Sequence, residues 1–273
     1  MDITKTVPPA QAPAKPPSRA GRILTVAETY KLTPNMIRVT FQGEALEGFP
    51  QRQEGAHCKI LLPEDGQRFD DFARQLDGGP RPTTRTYTVR HFREDKLELD
   101  IDFVAHGDEG PASRWAASAG PGSFCGFRGP GSVKMTEFVA DWYLLAADMS
   151  ALPVAAATLE AMPKDAVGTA VFEITDEADK QFIDAPEGIE IHWVLHPDPH
   201  KPSAAQETFL RGLKWPEGRV QTCVAGESSA IKGLRNLLHV EKNLPRPDAY
   251  ISGYWKIGLV EDEHQQVKRA EAA

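Results

Sequence analysis

Cysteines are few in this chain, and long apolar runs are absent. Its 273 residues include only Cys58, Cys125 and Cys223, an odd number at wide spacing, which disfavours both a disulfide framework and a metal site of the Cys-x-x-Cys kind. We expect each thiol to be reduced and buried, in a cytoplasmic protein. No stretch approaches the roughly 20 apolar residues that cross a bilayer, and the N-terminus carries no apolar segment with a cleavage site. The sequence therefore predicts neither membrane insertion nor secretion.

Positive charge is also in short supply. The chain has 31 lysines and arginines against 39 aspartates and glutamates, a formal net charge of −8. This balance disfavours nucleic-acid binding, which needs concentrated cationic side chains. Of the eight histidines, His196 and His200 stand four residues apart, but the intervening prolines prevent a helix that would bring them together at a metal. We therefore predict no resident metal, and an anionic ligand needs a local basic pocket.

The order of patterns along the chain predicts two domains between two short terminal segments. Residues 1–20 contain five prolines and little apolar surface, which predicts a disordered tail. Residues 21–133 show apolar and polar side chains in alternation, typical of antiparallel strands. Residues 134–260 show short apolar strands followed by helices, the pattern of a parallel sheet, and residues 261–273 predict a C-terminal helix or tail. The predicted fold class is an N-terminal antiparallel β-barrel followed by a Rossmann-like α/β domain, with a ligand cleft between them.

Individual elements can be assigned in the second domain. The predicted strands are Trp142–Ala147, Thr169–Thr175, Ile189–Leu195, Val220–Ala225 and Ala249–Ser252. The predicted helices are Ala151–Met162, Ser203–Leu213, Ser228–Asn243 and Glu261–Ala270.

Two stretches of the first domain have the chemistry of an anion site. In the predicted strand Arg85-Thr86-Tyr87-Thr88, Arg85 and Tyr87 share one face, so that a guanidinium stands beside an aromatic plane. Further on, a strand ends near Val104 and Pro111 occupies a first helical position. The N–H groups of that helix, with Ser113 as an added donor, can bind a pyrophosphate. An ordinary strand and an ordinary capped helix remain the alternatives at this point.

Together these stretches resemble the flavin-binding signature of the siderophore-interacting protein family, a branch of the ferredoxin-reductase superfamily. The resemblance continues in order over residues 20–260. It runs through Gly129-Pro130-Gly131, the turn within Tyr143–Pro153, the segment Val224–Glu227 and the segment Ile251–Gly258. It implies a ferric-siderophore reductase, in which FAD is bound by the barrel and a nicotinamide cofactor by the second domain.

The resemblance also implies roles for individual residues. Arg85 pairs with the FAD phosphate, Tyr87 stacks on the flavin ring, and Thr88 lies near the reactive nitrogen, so that Tyr87 and Thr88 are the predicted catalytic residues. The other predicted cofactor-binding residues are Thr86, Asp102, His106, Gly110, Ala112 and Ser113 for FAD, and Asp148, Ser150 and Ala151 for the nicotinamide cofactor. The predicted substrate-binding residues are Lys59, Arg128 and Lys256.

The second-domain turn departs from the family pattern. Ala147 stands for the usual glycine, Met149 for a glutamate and Ser150 for a threonine. Because a methyl group is added and a carboxylate is lost, the electron donor stays open between NADH, NADPH and reduced ferredoxin. The expected partners are therefore a ferric siderophore and, as a possible donor, ferredoxin, and we expect the chain to be a monomer.

Other functions are weighed against this one. Gly226-Glu227-Ser228-Ser229-Ala230 between a strand and a helix suggests a siderophore esterase, but it departs from Gly-x-Ser-x-Gly at its last residue. The acid and histidine that should follow such a serine, Asp262 and His264, are almost adjacent. A general flavin reductase of the same superfamily and a non-catalytic binder of flavin or siderophore are the further alternatives.

Overall fold

The barrel and the sheet follow one another along the chain in the computed structural model, which describes residues 21–105 and 110–272. The predicted tail 1–20 and His106 lie outside the described residues. Six antiparallel strands close into a barrel in the order β1-β2-β5-β4-β3-β6. The strands are β1 Arg22–Thr33, β2 Met36–Gln42, β3 His57–Leu61, β4 Thr84–Arg93, β5 Glu98–Val104 and β6 Phe124–Arg128, and the helices of this part are α1 Phe69–Leu76 and α2 Pro111–Ser118.

Alternation in β5 explains how the barrel core forms, and it also shows one difference from expectation. Leu99, Ile101 and Phe103 are fully buried in the barrel, as their spacing predicts. The intervening Asp100 and Asp102 are buried as well, although alternation places them on the outer face. Arginines of neighbouring strands cover them: Arg38 donates to both oxygens of Asp102, at 2.7 and 2.8 Å, and Arg93 donates to both oxygens of Asp100 at 2.7 Å.

The second domain is a parallel five-stranded sheet in the order β11-β10-β7-β8-β9. Its strands are β7 Trp142–Ala147, β8 Val167–Ile174, β9 Gly188–Leu195, β10 Val220–Glu227 and β11 Ala249–Trp255, and its helices are α3 Leu152–Ala161, α4 Ala205–Gly212, α5 Ser228–Asn236 and α6 Glu261–Ala272. Every strand and helix predicted for this region is present, and the fold class is confirmed. One helix differs: α5 gives way after Asn236 to a π-helical turn, Leu237–Glu241, where a single helix to Asn243 was predicted.

Polar contacts join the two domains. The fully buried Asp179, which follows β8, accepts hydrogen bonds from Thr33 Oγ1 at 2.7 Å and from the backbone N–H and side-chain amide of Asn35 at 2.9 and 2.8 Å. Arg90 of β4 donates to both oxygens of Glu160 in α3, at 2.7 and 2.6 Å. Because these contacts join the domains at two separate places, they fix the position of the sheet relative to the barrel.

Within residues 21–105 and 110–272, no helix has both the length and the apolar character that a bilayer crossing requires.

Candidate active site

Strand β4 carries the predicted flavin face. Arg85 is half-buried and its Nη1 donates to the carbonyl oxygen of Thr84 at 2.9 Å. Tyr87, two residues on, packs its ring against Phe103, with centroids 4.3 Å apart and planes inclined by 43°. Burial raises the pKa of the Tyr87 phenol well above its usual range, with the carboxylate of Glu261 adding to the effect. The cation and the neutral aromatic ring therefore stand side by side, as the spacing predicts. Thr88, on the opposite face, is buried.

Helix α2 begins close to this face. Phe103 contacts Trp115 of α2 with ring centroids 5.8 Å apart, so Tyr87, Phe103 and Trp115 form one continuous aromatic row. The residue before the helix is Gly110, which provides no capping side chain, and Pro111 follows it. Ala112 and Ser113 are buried in the first turn. A helix N-terminus that Gly110 leaves without a side-chain cap, together with an arginine near an aromatic row, fits the pyrophosphate and the ring system of FAD.

Asp102 has a different environment from the rest of the predicted flavin set. Both of its carboxylate oxygens accept hydrogen bonds from Arg38, and Arg90 Nε lies 3.8 Å from one of them. The structure therefore places Asp102 in the arginine network on the outer face of the barrel.

Two of the three predicted substrate residues, Lys59 of β3 and Arg128 of β6, lie on the outer face of the barrel beside β4. Lys59 is paired in register with Thr86 on one side and with Arg128 on the other, which points the three side chains the same way. Lys59 Nζ donates to Thr86 Oγ1. Arg128 Nε is buried and has no hydrogen-bond partner among the described atoms. Lys256 follows β11, in the turn that leads to α6.

Two cationic or titratable residues on this face were not predicted. His57 lies two residues before Lys59 and so shares its face of β3, and its imidazole lies against Gly131, where a Cβ atom would approach ring Cε1 to 2.1 Å. Burial lowers the pKa of His57, and the positive charges of Lys134 and Lys59 lower it further. His57, Lys59, Arg128 and Lys134 are called the basic face below. Alternation along β3 was the signal that could have identified His57, whereas nothing local in the sequence indicates Lys134.

The first turn of α6 contacts this basic face. Glu261 Oε2 accepts from the backbone N–H of Thr86 at 3.0 Å, and Oε1 accepts from Thr86 Oγ1 and from Lys59 Nζ, the latter at 3.3 Å. Asp262 lies 3.9 Å from Arg85. A segment predicted only as a C-terminal helix thus reaches residues of both predicted ligand sites.

The predicted nicotinamide turn is organised by Asp148. Its Oδ1 accepts from Ser150 N, Ser150 Oγ and Ala151 N, at 2.9, 2.6 and 3.2 Å. Its Oδ2 accepts from Glu227 N at 2.8 Å and from Trp255 Nε1 at 2.7 Å. Burial raises the pKa of Asp148, although these hydrogen bonds oppose the change. Asp148, Ser150 and Ala151 are brought together, but the N–H groups of Ser150 and Ala151 already donate to Asp148.

Glu227 fills the equivalent position at α5. Its carboxylate accepts from Ser229 N at 2.6 Å, from Ala230 N at 3.0 Å and from Ile257 N at 3.3 Å. Met149, which replaces the family glutamate, is buried and packs with Met36 of the barrel and Ile174. The N-terminus of α5 is therefore capped by Glu227, whereas Asp148 accepts the N–H groups of Ser150 and Ala151 in the turn just before α3.

Comparison with known proteins identifies the family. Residues 25–134 match the profile described as "Siderophore-interacting FAD-binding domain" and residues 140–258 match the one described as "Siderophore-interacting protein". The ferric vibriobactin reductase ViuB of Vibrio cholerae is 35% identical over 252 residues, which cover 90% of this chain and 93% of that protein. The chain belongs to the siderophore-interacting protein family. The predicted resemblance is confirmed.

Other comparisons agree with this membership. The NADPH-dependent ferric-chelate reductase of Escherichia coli is 30% identical to this siderophore-interacting protein over 243 residues, 86% of this chain and 92% of that one. The crystal structure of the siderophore-interacting protein SipS from Aeromonas hydrophila superposes with a TM-score of 0.80 at 30% identity, covering 93% of this chain and 98% of that one. A ferredoxin-NADP+ reductase from Plasmodium falciparum, 14% identical with a TM-score of 0.61 and coverage of 86% and 96%, shares the fold. The first domain is therefore an FAD-binding domain on a ferredoxin-reductase-like scaffold.

Proposed function

We propose that this siderophore-interacting protein is a ferric-siderophore reductase. The observation that carries the proposal is the position of β4 between two sets of side chains. Arg85 and Tyr87 line one face, and Thr86 joins Lys59 and Arg128 on the other. A single strand therefore brings a flavin-type anion and aromatic site next to a cationic surface suited to an anionic chelate.

The residues of the barrel bind and orient the cofactor in this proposal. Arg85 binds an FAD phosphate through its guanidinium, and the N–H groups that follow Gly110 bind the pyrophosphate. Tyr87 stacks on the flavin ring, whereas a contact between the Thr88 hydroxyl and the reactive nitrogen stays a prediction, because Thr88 is buried on the opposite face of β4. When bound, FAD converts the two electrons of a hydride donor into single-electron transfers. The placement of Asp102, His106, Ala112 and Ser113 at the same cofactor stays a prediction, whereas Thr86, also predicted for FAD, is assigned here to the substrate side because it pairs with Lys59.

The basic face receives the substrate. Ferric iron in a siderophore is held by hard oxygen donors, and the added electron weakens that chelate. Lys59 and Arg128 of this face, together with Lys256, neutralise the negative charge of the ligand. The electron passes to iron that stays held by the chelate, so no protein ligand to iron is needed. The overall reaction consumes one reduced nicotinamide and two ferric chelates and yields one oxidised nicotinamide, one proton and two ferrous ions.

NADPH is the donor we propose first, because the Escherichia coli relative is NADPH-dependent. NADH and reduced ferredoxin remain alternatives, since Asp148 already accepts the N–H groups of the turn before α3 and Glu227 accepts those at the start of α5. A dinucleotide bound at this edge must use other donors or displace a carboxylate. Binding of ferredoxin, a monomeric state and a cytoplasmic location stay predictions, the last supported by three buried free cysteines.

An anaerobic titration tests the proposal. The purified holoprotein is mixed with NADPH, NADH or reduced ferredoxin while the oxidised flavin band is recorded, and then with a ferric chelate and a coloured Fe(II) trap. We expect loss of the flavin band with at least one donor, its return on addition of the chelate, and stoichiometric trapped Fe(II). A flavin band that survives all three donors contradicts a reductase and supports a non-catalytic binder.

A further inference from the structure

The first turn of α6 is the acidic segment Glu261-Asp262-Glu263, and it lies on the basic face. Glu261 contacts both partners of one cross-strand pair, Lys59 and Thr86. Its side chain is only 16% exposed, whereas that of Asp262 is 81% exposed. Glu261 is therefore a docked carboxylate, held by a charge, a hydroxyl and a backbone N–H.

These three donors are the ones that an anionic oxygen of a chelate would use. A backbone N–H, a hydroxyl and an ammonium group that converge on one carboxylate form a small oxyanion site. In this structure the occupant comes from the chain itself. A bound substrate and Glu261 cannot accept from the same hydrogens of Thr86, so the two must compete.

We propose that Glu261 is a specificity-determining residue, a displaceable carboxylate that a ferric chelate must replace at Lys59 and Thr86. The inference rests on the proposed function, because it places the substrate on the basic face. Displacement selects for charge: an anionic chelate gains the Lys59 contact that Glu261 gives up, whereas an uncharged chelate gains little there. Asp262 and Glu263 move with Glu261, since they belong to the same helical turn.

The test compares two substitutions of equal charge. Glu261→Gln removes the negative charge that contacts Lys59. Glu263→Gln, the control, removes a negative charge from the same helical turn, where the Glu263 carboxylate accepts a hydrogen bond from the backbone N–H of Val260 at 3.3 Å. A trianionic ferric tris-catecholate and an uncharged ferric trihydroxamate are titrated against each holoprotein, with tryptophan fluorescence quenching as the binding signal. Lys59→Ala is measured alongside.

We expect Glu261→Gln to bind the trianionic chelate about fivefold more tightly than the parent protein, the size expected for removing one charge contact at the protein surface. Its affinity for the uncharged chelate, and both affinities of Glu263→Gln, should change less than twofold. One result would contradict the role of Glu261 alone: the parent protein binds the trianionic chelate and Lys59→Ala weakens that binding, but Glu261→Gln and Glu263→Gln bind the chelate with equal affinity. The proposed substrate site would then still hold. If the parent protein binds neither chelate, the proposed function itself fails.

Hydrogen exchange gives a second readout that does not depend on affinity. Saturation with the trianionic chelate should speed amide exchange in the peptide that contains Glu261, because its turn leaves the barrel. Unchanged or slower exchange in that peptide at saturation would overturn displacement, since the helix would then stay docked beside the ligand.

Discussion

The charged side chains of the candidate site fall into two groups. In one group all hydrogen-bonding positions are already occupied by partners within the chain, and in the other some donors are still available. Asp148 accepts five hydrogen bonds and Asp102 is fully engaged by Arg38. Arg85 donates to one carbonyl, and Arg128 Nε is buried without a partner among the described atoms. Such donor groups mark where an anionic ligand is expected, because a buried N–H group without a hydrogen-bond partner is costly.

Substitution of Arg85 tests the flavin end of the site. Arg85→Ala should yield a flavin-poor protein, with FAD affinity lowered about tenfold or more, because a charge-assisted phosphate contact is lost. The ratio of flavin to protein absorbance after gel filtration measures this. Arg74→Ala, which removes an exposed arginine paired with Asp71 on α1, is the control. Full occupancy in Arg85→Ala would contradict the phosphate role.

Substitution of Lys59 tests the substrate end. Lys59→Ala should weaken binding of an anionic ferric chelate about fivefold and leave flavin content unchanged, since its Nζ contacts Thr86 and Glu261 rather than Arg85 or Tyr87. Equilibrium titration with the chelate gives the affinity. Lys164→Ala, at an exposed lysine paired with Asp184, provides the comparison. Equal affinities of Lys59→Ala and Lys164→Ala for the chelate would contradict a role of Lys59 in substrate binding.

At the scale of elements, the sequence predicted what depends on short-range pattern and missed what depends on contact across the chain. Strand β7 has the predicted bounds, Trp142–Ala147, because a short apolar run between polar flanks is a purely local signal. Helix α1 was not predicted. Among its eight residues Phe72 is the only one that is buried, too narrow an apolar stripe to be read by periodicity.

The candidate site shows the same division. Arg85 and Tyr87 could be placed on one face from strand geometry alone. The pairing of Lys59 with Thr86 and Arg128 depends on barrel register, and the contact of Glu261 with Thr86 joins residues 175 positions apart. No local pattern encodes such a pairing, because it is decided by how the whole barrel closes.

Helix α1 provides the prediction at this scale. Phe72 is fully buried and its ring centroid lies 5.6 Å from that of Phe124 in β6, whereas Phe69 of the same helix is 47% exposed. Phe72→Ala should lower the free energy of unfolding by about 3–5 kcal/mol, because it leaves a cavity against the barrel. Phe69→Ala should cost much less. Denaturant unfolding of both variants measures the difference, and equal losses would contradict the packing role of α1.

At the scale of the whole molecule, charge pairs link the two domains. Glu160 of α3 is partly buried beside Arg90 and His91 of β4. Burial alone would raise the pKa of Glu160, but hydrogen bonds from Arg90 and His91 outweigh it and lower the pKa from 4.5 to about 2. The ionised form is therefore favoured by folding.

Acid should weaken this junction in a defined range. Because the folded pKa of Glu160 is below the ordinary value, its stabilisation is complete above pH 4.5 and is lost as the pH falls toward about 2. The thermal midpoint of Glu160→Gln should accordingly depend less on pH in that range than that of the parent protein. Glu187→Gln, at an exposed position, should keep the parental dependence. Parallel curves for Glu160→Gln and the parent would exclude this linkage.

Asp179 has a consequence for how ligands come and go. It accepts from Thr33 and Asn35 of the barrel and also from Thr175 Oγ1 and Asp176 N of its own domain, five donors on one fully buried carboxylate. Swinging the domains apart would strip a desolvated anion of its barrel partners, which is strongly unfavourable. Ligands should therefore bind and dissociate while the two domains stay fixed relative to one another. The conformational change that admits them is then expected in a small segment at the edge of the site, such as the start of α6.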